Sequence, residues 1–138
     1  MKTFLAAVHG LILTSATLTS ARTNTENELE CTKRSPSIMY AIGRFCQKND
    51  LVVPSDYAVT GAHGTYNDPH TRTKVYITGS CKPPQWVPQE FCFSQFKELC
   101  ADSQDKTFSG VEYFGRSNCQ RWHIENGPIG PAKPVDGD

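Results

Sequence analysis

The sequence predicts a small α+β domain stapled by three disulfides, with about two helices and a short antiparallel sheet of about four strands. Three observations predict it. The 138-residue chain holds six cysteines, Cys31, Cys46, Cys81, Cys92, Cys100 and Cys119, and an even count in a small exported chain reads as a disulfide framework. Two stretches repeat apolar residues at helical spacing. Several shorter, β-prone stretches lie between clusters of glycine, proline, asparagine and aspartate.

Export is the expectation set by the first residues. Lys2 supplies a positive start, Phe4 to Leu13 form a short apolar run, and mostly small residues follow from Thr14 to Ala21. Thr19 and Ala21 suit a signal peptidase, so residues 1–21 are expected to be a signal peptide cleaved after Ala21. An apolar run of about 10 residues falls short of the roughly 20 that cross a bilayer. Removing residues 1–21 of 138 leaves 117, enough for one domain, and moves the formal charge from 0 to −1 because Lys2 is lost. A chain so near neutrality has no global field for nucleic acid or anionic membrane, and neither is expected as a partner. A monomer is expected.

Residues 22–30 are polar and acidic and are expected to be a flexible leader, with the stapled domain spanning 31–125. Ser35-Pro36 starts a helix as N-cap and first helical residue. Ile38, Ile42, Phe45 and Cys46 fall on one face of it, to about Lys48, where Asn49-Asp50 ends it. Leu51 to Val53 is a short strand. Residues 54–71 hold many turn formers and are expected to form an extended surface loop, with a short strand at Tyr57 to Val59. Thr73 to Thr78 alternates as a strand closed by Gly79.

Lys82 to Pro88 is stiff and extended, with Trp86 near its centre. Pro88 opens the second helix, whose wide apolar face comprises Phe91, Cys92, Gln95, Phe96, Leu99 and Cys100. Cys92 and Cys100 cannot bond each other on it, since eight helical residues rise about 12 Å against a limit of ~7 Å. The remaining connectivity stays open. Val111 to Phe114 and Cys119 to Ile124 are the last strands, the latter with Trp122 and Ile124 on one side and Arg121 and His123 on the other. Residues 126–138, rich in proline and glycine, are expected to be a disordered tail.

Chemistry is sparse. A metal site would need ligand spacing that His63, Asp68 and His70 do not show, and there is no C-x-x-C pair, so no metal or cofactor is expected. His70, Glu112, Arg116 and His123 supply the residue types of a ribonuclease without its spacings. No G-x-S-x-G occurs, and paired cysteines are not nucleophiles. The chain is therefore expected not to be an enzyme. Trp86, Tyr66 and Tyr57 are the aromatics placed to contact a ligand from loops, whereas Trp122 shares a strand face with Ile124 and is expected in the core.

Signal peptide, acidic leader, six-cysteine domain and absent catalytic motif together resemble the small secreted cysteine-rich effectors of plant-pathogenic fungi. The stretch Gly110-Val111-Glu112-Tyr113-Phe114 through Cys119-Gln120-Arg121-Trp122-His123-Ile124 is similar in style to strand endings in such proteins. The resemblance implies action in the apoplast or after uptake into host cells, by binding a host plant protein, and recognition by resistance proteins as an avirulence factor. It carries no catalytic residue onto this chain. A carbohydrate-binding lectin, a secreted ribonuclease and an antifungal toxin are the alternatives.

Overall fold

The computed structural model describes residues 21–65 and 71–128, so residues 1–20 of the expected signal peptide 1–21, residues 66–70 and residues 129–138 of the expected tail lie outside the described residues. Among the described residues four α-helices, α1 (Asn24–Arg34), α2 (Pro36–Phe45), α3 (Asp56–Thr60) and α4 (Gln89–Asp102), accompany six strands. The strands are β1 (Val52–Val53), β2 (Ala62–His63), β3 (Thr71–Gly79), β4 (Gln85–Trp86), β5 (Gly110–Phe114) and β6 (Gln120–Pro128). They form an antiparallel sheet of order β2-β3-β6-β5 and a two-stranded ribbon of β1 with β4. The fold is the expected disulfide-rich α+β domain.

Ser35 caps α2 by accepting from Ile38 N–H at 3.2 Å, and Pro36 occupies its first turn. The face read from the sequence is the buried one: Ile38, Ile42 and Phe45 are inaccessible to solvent. In the sheet, Val75 and Ile77 of β3 stand opposite Ile124 and Trp122 of β6. These four side chains close the core against α2 and α4. Trp122 is fully buried between Phe96, 4.6 Å away, and Phe114, 5.1 Å away.

The disulfides pair Cys31 with Cys100, Cys46 with Cys92 and Cys81 with Cys119. As the helical rise requires, Cys92 and Cys100 bond elsewhere. Together they tie α4 to the C-terminal end of α2 and to α1, while the third pair joins the exit of β3 to the entry of β6.

Four expectations change. The acidic leader is not loose, because residues 24–34 are helix α1. Thr23 and Glu26 cap each other reciprocally, which satisfies two amides that a helix start otherwise leaves bare. Cys31 then bonds α4, Lys97 meets Glu28 at 2.6 Å, and Arg34 reaches the Ser103 carbonyl at 2.7 Å. The strand expected at Tyr57 to Val59 is instead α3, capped by Ser55 and stopped by Gly61, whose positive φ of 66° suits glycine.

Third, the ordered chain does not end at residue 125. Asn126 continues β6, accepts from Thr73 Oγ1 at 2.6 Å and donates from its side chain to the Thr107 carbonyl at 2.6 Å. Fourth, the buried face of α4 is narrower than expected, because Phe91 lies half exposed beside it.

Candidate functional site

Trp86 is the largest exposed apolar side chain at 58 %. It is not a free rotor. Its backbone pairs with Val52 across the ribbon, and its indole N–H donates to the Asn49 carbonyl at 2.9 Å. Phe91, one turn into α4, is 50 % exposed. Gln89 fixes that first turn by donating to the carbonyls of Cys46 at 3.0 Å and Gln47 at 3.3 Å. With Val87, Pro88 and Gln95, the two rings border a shallow depression of about 70 Å³. A preset aromatic pair loses little rotamer freedom on docking, the property that makes such residues anchors.

The other two aromatics proposed from the sequence do not join it. Tyr57 stacks on Phe45 at 5.4 Å between ring centroids and donates its hydroxyl to the Phe45 carbonyl at 2.8 Å. Burial pushes its phenol up from the ordinary value. It props α2 against α3. Tyr66 lies outside the described residues, as does His70. Trp122 is core, as its strand face requires.

The ribonuclease-like set is not assembled among the described residues. Glu112 and His123 sit on neighbouring strands but point to opposite faces, because Val111 and not Glu112 stands opposite His123. Arg116 lies in the turn between β5 and β6, with its N–H on Gln85. His63 is exposed on β2. No group of three or more His, Cys, Asp or Glu side chains that could hold a metal occurs among the described residues.

His123 instead belongs to a ladder on the outer face of the sheet. Its ring lies parallel to Tyr76 with centroids 4.4 Å apart, and Nε2 is 3.0 Å from Thr78 Oγ1. The Tyr76 hydroxyl donates to Glu125 at 2.5 Å; burial first, and this bond second, push its phenol up to about 12. Lys74 lies 4.6 Å from the Tyr76 ring centroid, and Arg121 caps Tyr113 at 5.8 Å. These aromatic faces are thus already occupied, which argues against a stacking platform.

Burial, with Arg121 adding to it and Glu125 opposing, lowers the His123 pKa below its ordinary 6.5. Neutral His123 therefore contributes stability that is complete above about pH 6.5 and is lost as the pH falls through the depressed folded-state value. The denaturant midpoint should drop as the pH falls below about 6.5, and His123→Gln should flatten that drop. An unchanged pH profile in the variant would remove His123 as the cause.

A second concave surface runs between α4 and β5. A crevice of about 360 Å³ there is lined by Glu98, Leu99, Asp102, Gly110, Val111 and Glu112, among others. The sequence reading missed it, because its walls come from segments that are neighbours only after folding. The one available signal was the helical recurrence of Phe91, Gln95, Glu98 and Asp102 along a single stripe. No family model, no curated protein and no solved structure matches this chain.

Proposed function

We propose that this chain is a secreted effector of a plant-pathogenic fungus that acts by binding a host protein, with Trp86 and Phe91 as the anchor. The single observation behind this reading is the aromatic pair itself, large, exposed and held in place by hydrogen bonds beside the Cys46–Cys92 disulfide. Three disulfides supply a scaffold suited to an oxidising space outside the cell. No helix among the described residues is long and apolar enough to cross a membrane, so nothing in them ties such a scaffold to a bilayer.

The test is a Trp86→Ala/Phe91→Ala double variant, scored for host-cell response and for host proteins captured by cross-linking in infected tissue. Both rings are half exposed or more, so the melting temperature should move by less than about 5 °C. Host response and capture should fall at least about tenfold, the effect of losing a hot-spot anchor. A folded double variant with full activity overturns the reading. Binding of the wild-type chain to a glycan array, lost in the same variant, would replace it with a lectin.

A further inference from the structure

We propose that the trough between α4 and β5 binds an extended, basic peptide segment, which adds to the sheet as a further strand beside β5. Among the described residues β5 pairs with β6 alone and ends the sheet. Backbone groups of successive residues in an antiparallel strand point to alternate sides. Tyr113 N–H meets the Glu112 carboxylate at 3.1 Å instead of a neighbouring strand. Tyr113, and Val111 two residues before it, therefore turn their N–H and C=O groups to the open edge. An edge of this kind is a template for another strand unless something blunts it. Here the Glu112 side chain covers one amide only, and Val111 and Tyr113 remain 44 % and 50 % exposed.

The crevice beside this edge states what the added strand carries. Glu98, Asp102 and Glu112 line it together with the apolar Leu99, Val111 and Phe114, and among the described residues no Lys, Arg or His lines it. Arg22 reaches Asp102 from outside at 3.1 Å, which leaves Glu98 and Glu112 to meet incoming cations. At its floor strand and helix touch, since a Cβ on Gly110 would come within 2.9 Å of Leu99.

The trough also has a direction. Gly110 lies at its acidic end, while Gly115, just past the other end of β5, lines the depression of Trp86 and Phe91. On α4 the stripe Phe91, Gln95, Glu98 and Asp102 runs the same way. Five strand residues span about 17 Å. A complementary peptide carries Lys or Arg toward Glu98 and Glu112 and an apolar side chain toward Trp86, while its main chain pairs with Val111 and the Tyr113 carbonyl and the Tyr113 N–H stays on Glu112. This deepens the protein-binding reading and rests on it only for the source of the peptide.

The experiment uses the intact oxidised chain and fluorescence anisotropy with three synthetic nonapeptides. One alternates Lys with Val, one alternates Glu with Val, and the third is the Lys peptide N-methylated at every second residue, which removes main-chain donors without changing charge. The Lys peptide should bind, weakening as salt rises from about 50 mM to about 300 mM. The Glu peptide and the N-methylated peptide should each bind at least tenfold more weakly. A Glu98→Lys/Glu112→Lys variant with an unchanged melting temperature should invert the preference between the two charged peptides.

Absence of binding by the Lys peptide overturns the proposal, as does binding that N-methylation leaves intact. Concentration-dependent dimerisation of the chain that excludes the peptides would also overturn it, by giving the edge to a second copy. If peptide binding fails while the Trp86→Ala/Phe91→Ala variant still loses host activity, the proposal falls alone. The reverse outcome removes the host-binding reading and keeps the trough.

Discussion

Replacing Cys31 and Cys100 together by serine is expected to lower the melting temperature by roughly 15 °C or more, the largest loss from removing any one disulfide. The bond spans 69 residues, against 46 for Cys46–Cys92 and 38 for Cys81–Cys119. A cross-link restricts the unfolded chain more the longer the loop it closes, and a loop of this length corresponds to about 4 kcal/mol. That approaches the whole margin of a small domain. Both sulfurs are buried, while the other ties of α1 to α4 are ion pairs and hydrogen bonds with partly exposed partners, which contribute little singly. Changing both cysteines avoids a stray thiol. A scanning-calorimetry shift under about 5 °C would mean that packing, and not the bond, holds α1 in place.

Trp122→Ala is expected to cost about 3–5 kcal/mol, enough to leave much of the population unfolded at physiological temperature. The indole is fully buried, touches Phe96 and Phe114, and donates to Gln120 Oε1 at 2.9 Å. Alanine leaves a cavity and a buried amide oxygen without a donor. Trp122→Phe separates the two effects, since it fills most of the space and should cost about 1–3 kcal/mol for the orphaned Gln120 carbonyl. Urea midpoints of the two variants check both values. Equal midpoints would show that the volume contributes nothing beyond the hydrogen bond.

Helix α2 was legible because its start signal and its buried face are both local: Ser35-Pro36 and the spacing of Ile38, Ile42 and Phe45. The same holds for β3 and for the inward Trp122 and Ile124 of β6. Helix α1 was not, since its sequence is polar and acidic, and what holds it is a bond and an ion pair to residues on α4. The Thr23–Glu26 capping box is present in the sequence, but the polar, acidic composition of residues 22–30 predicts a loose leader. Helix α3 is only five residues long, below the reach of periodicity, and its markers are Ser55 at the start and Gly61 at the end. Asn126 looked like tail because its partners, Thr73, Thr107 and Ser109, are distant in the sequence.

At the candidate site, exposure of Trp86 followed from its proline-rich setting. The sequence places Phe91 beside Cys92 on the helical wheel and so predicts it on the buried face of α4. Its exposure depends on which elements pack against α4, which no local pattern records. The disulfide pairing was equally out of reach beyond the exclusion of Cys92 with Cys100.

Helix α4 is clamped from behind, by Cys92 to Cys46 and by Cys100 to Cys31, so its placement does not depend on the side chains it turns outward. Substitutions at Phe91, Glu98 or Asp102 can therefore accumulate with little effect on the fold. Variation is free to alter what the surface recognises, or what recognises it, while the scaffold beneath stays the same. A chain built this way can change the surface it presents through a few outward positions, each nearly neutral for folding.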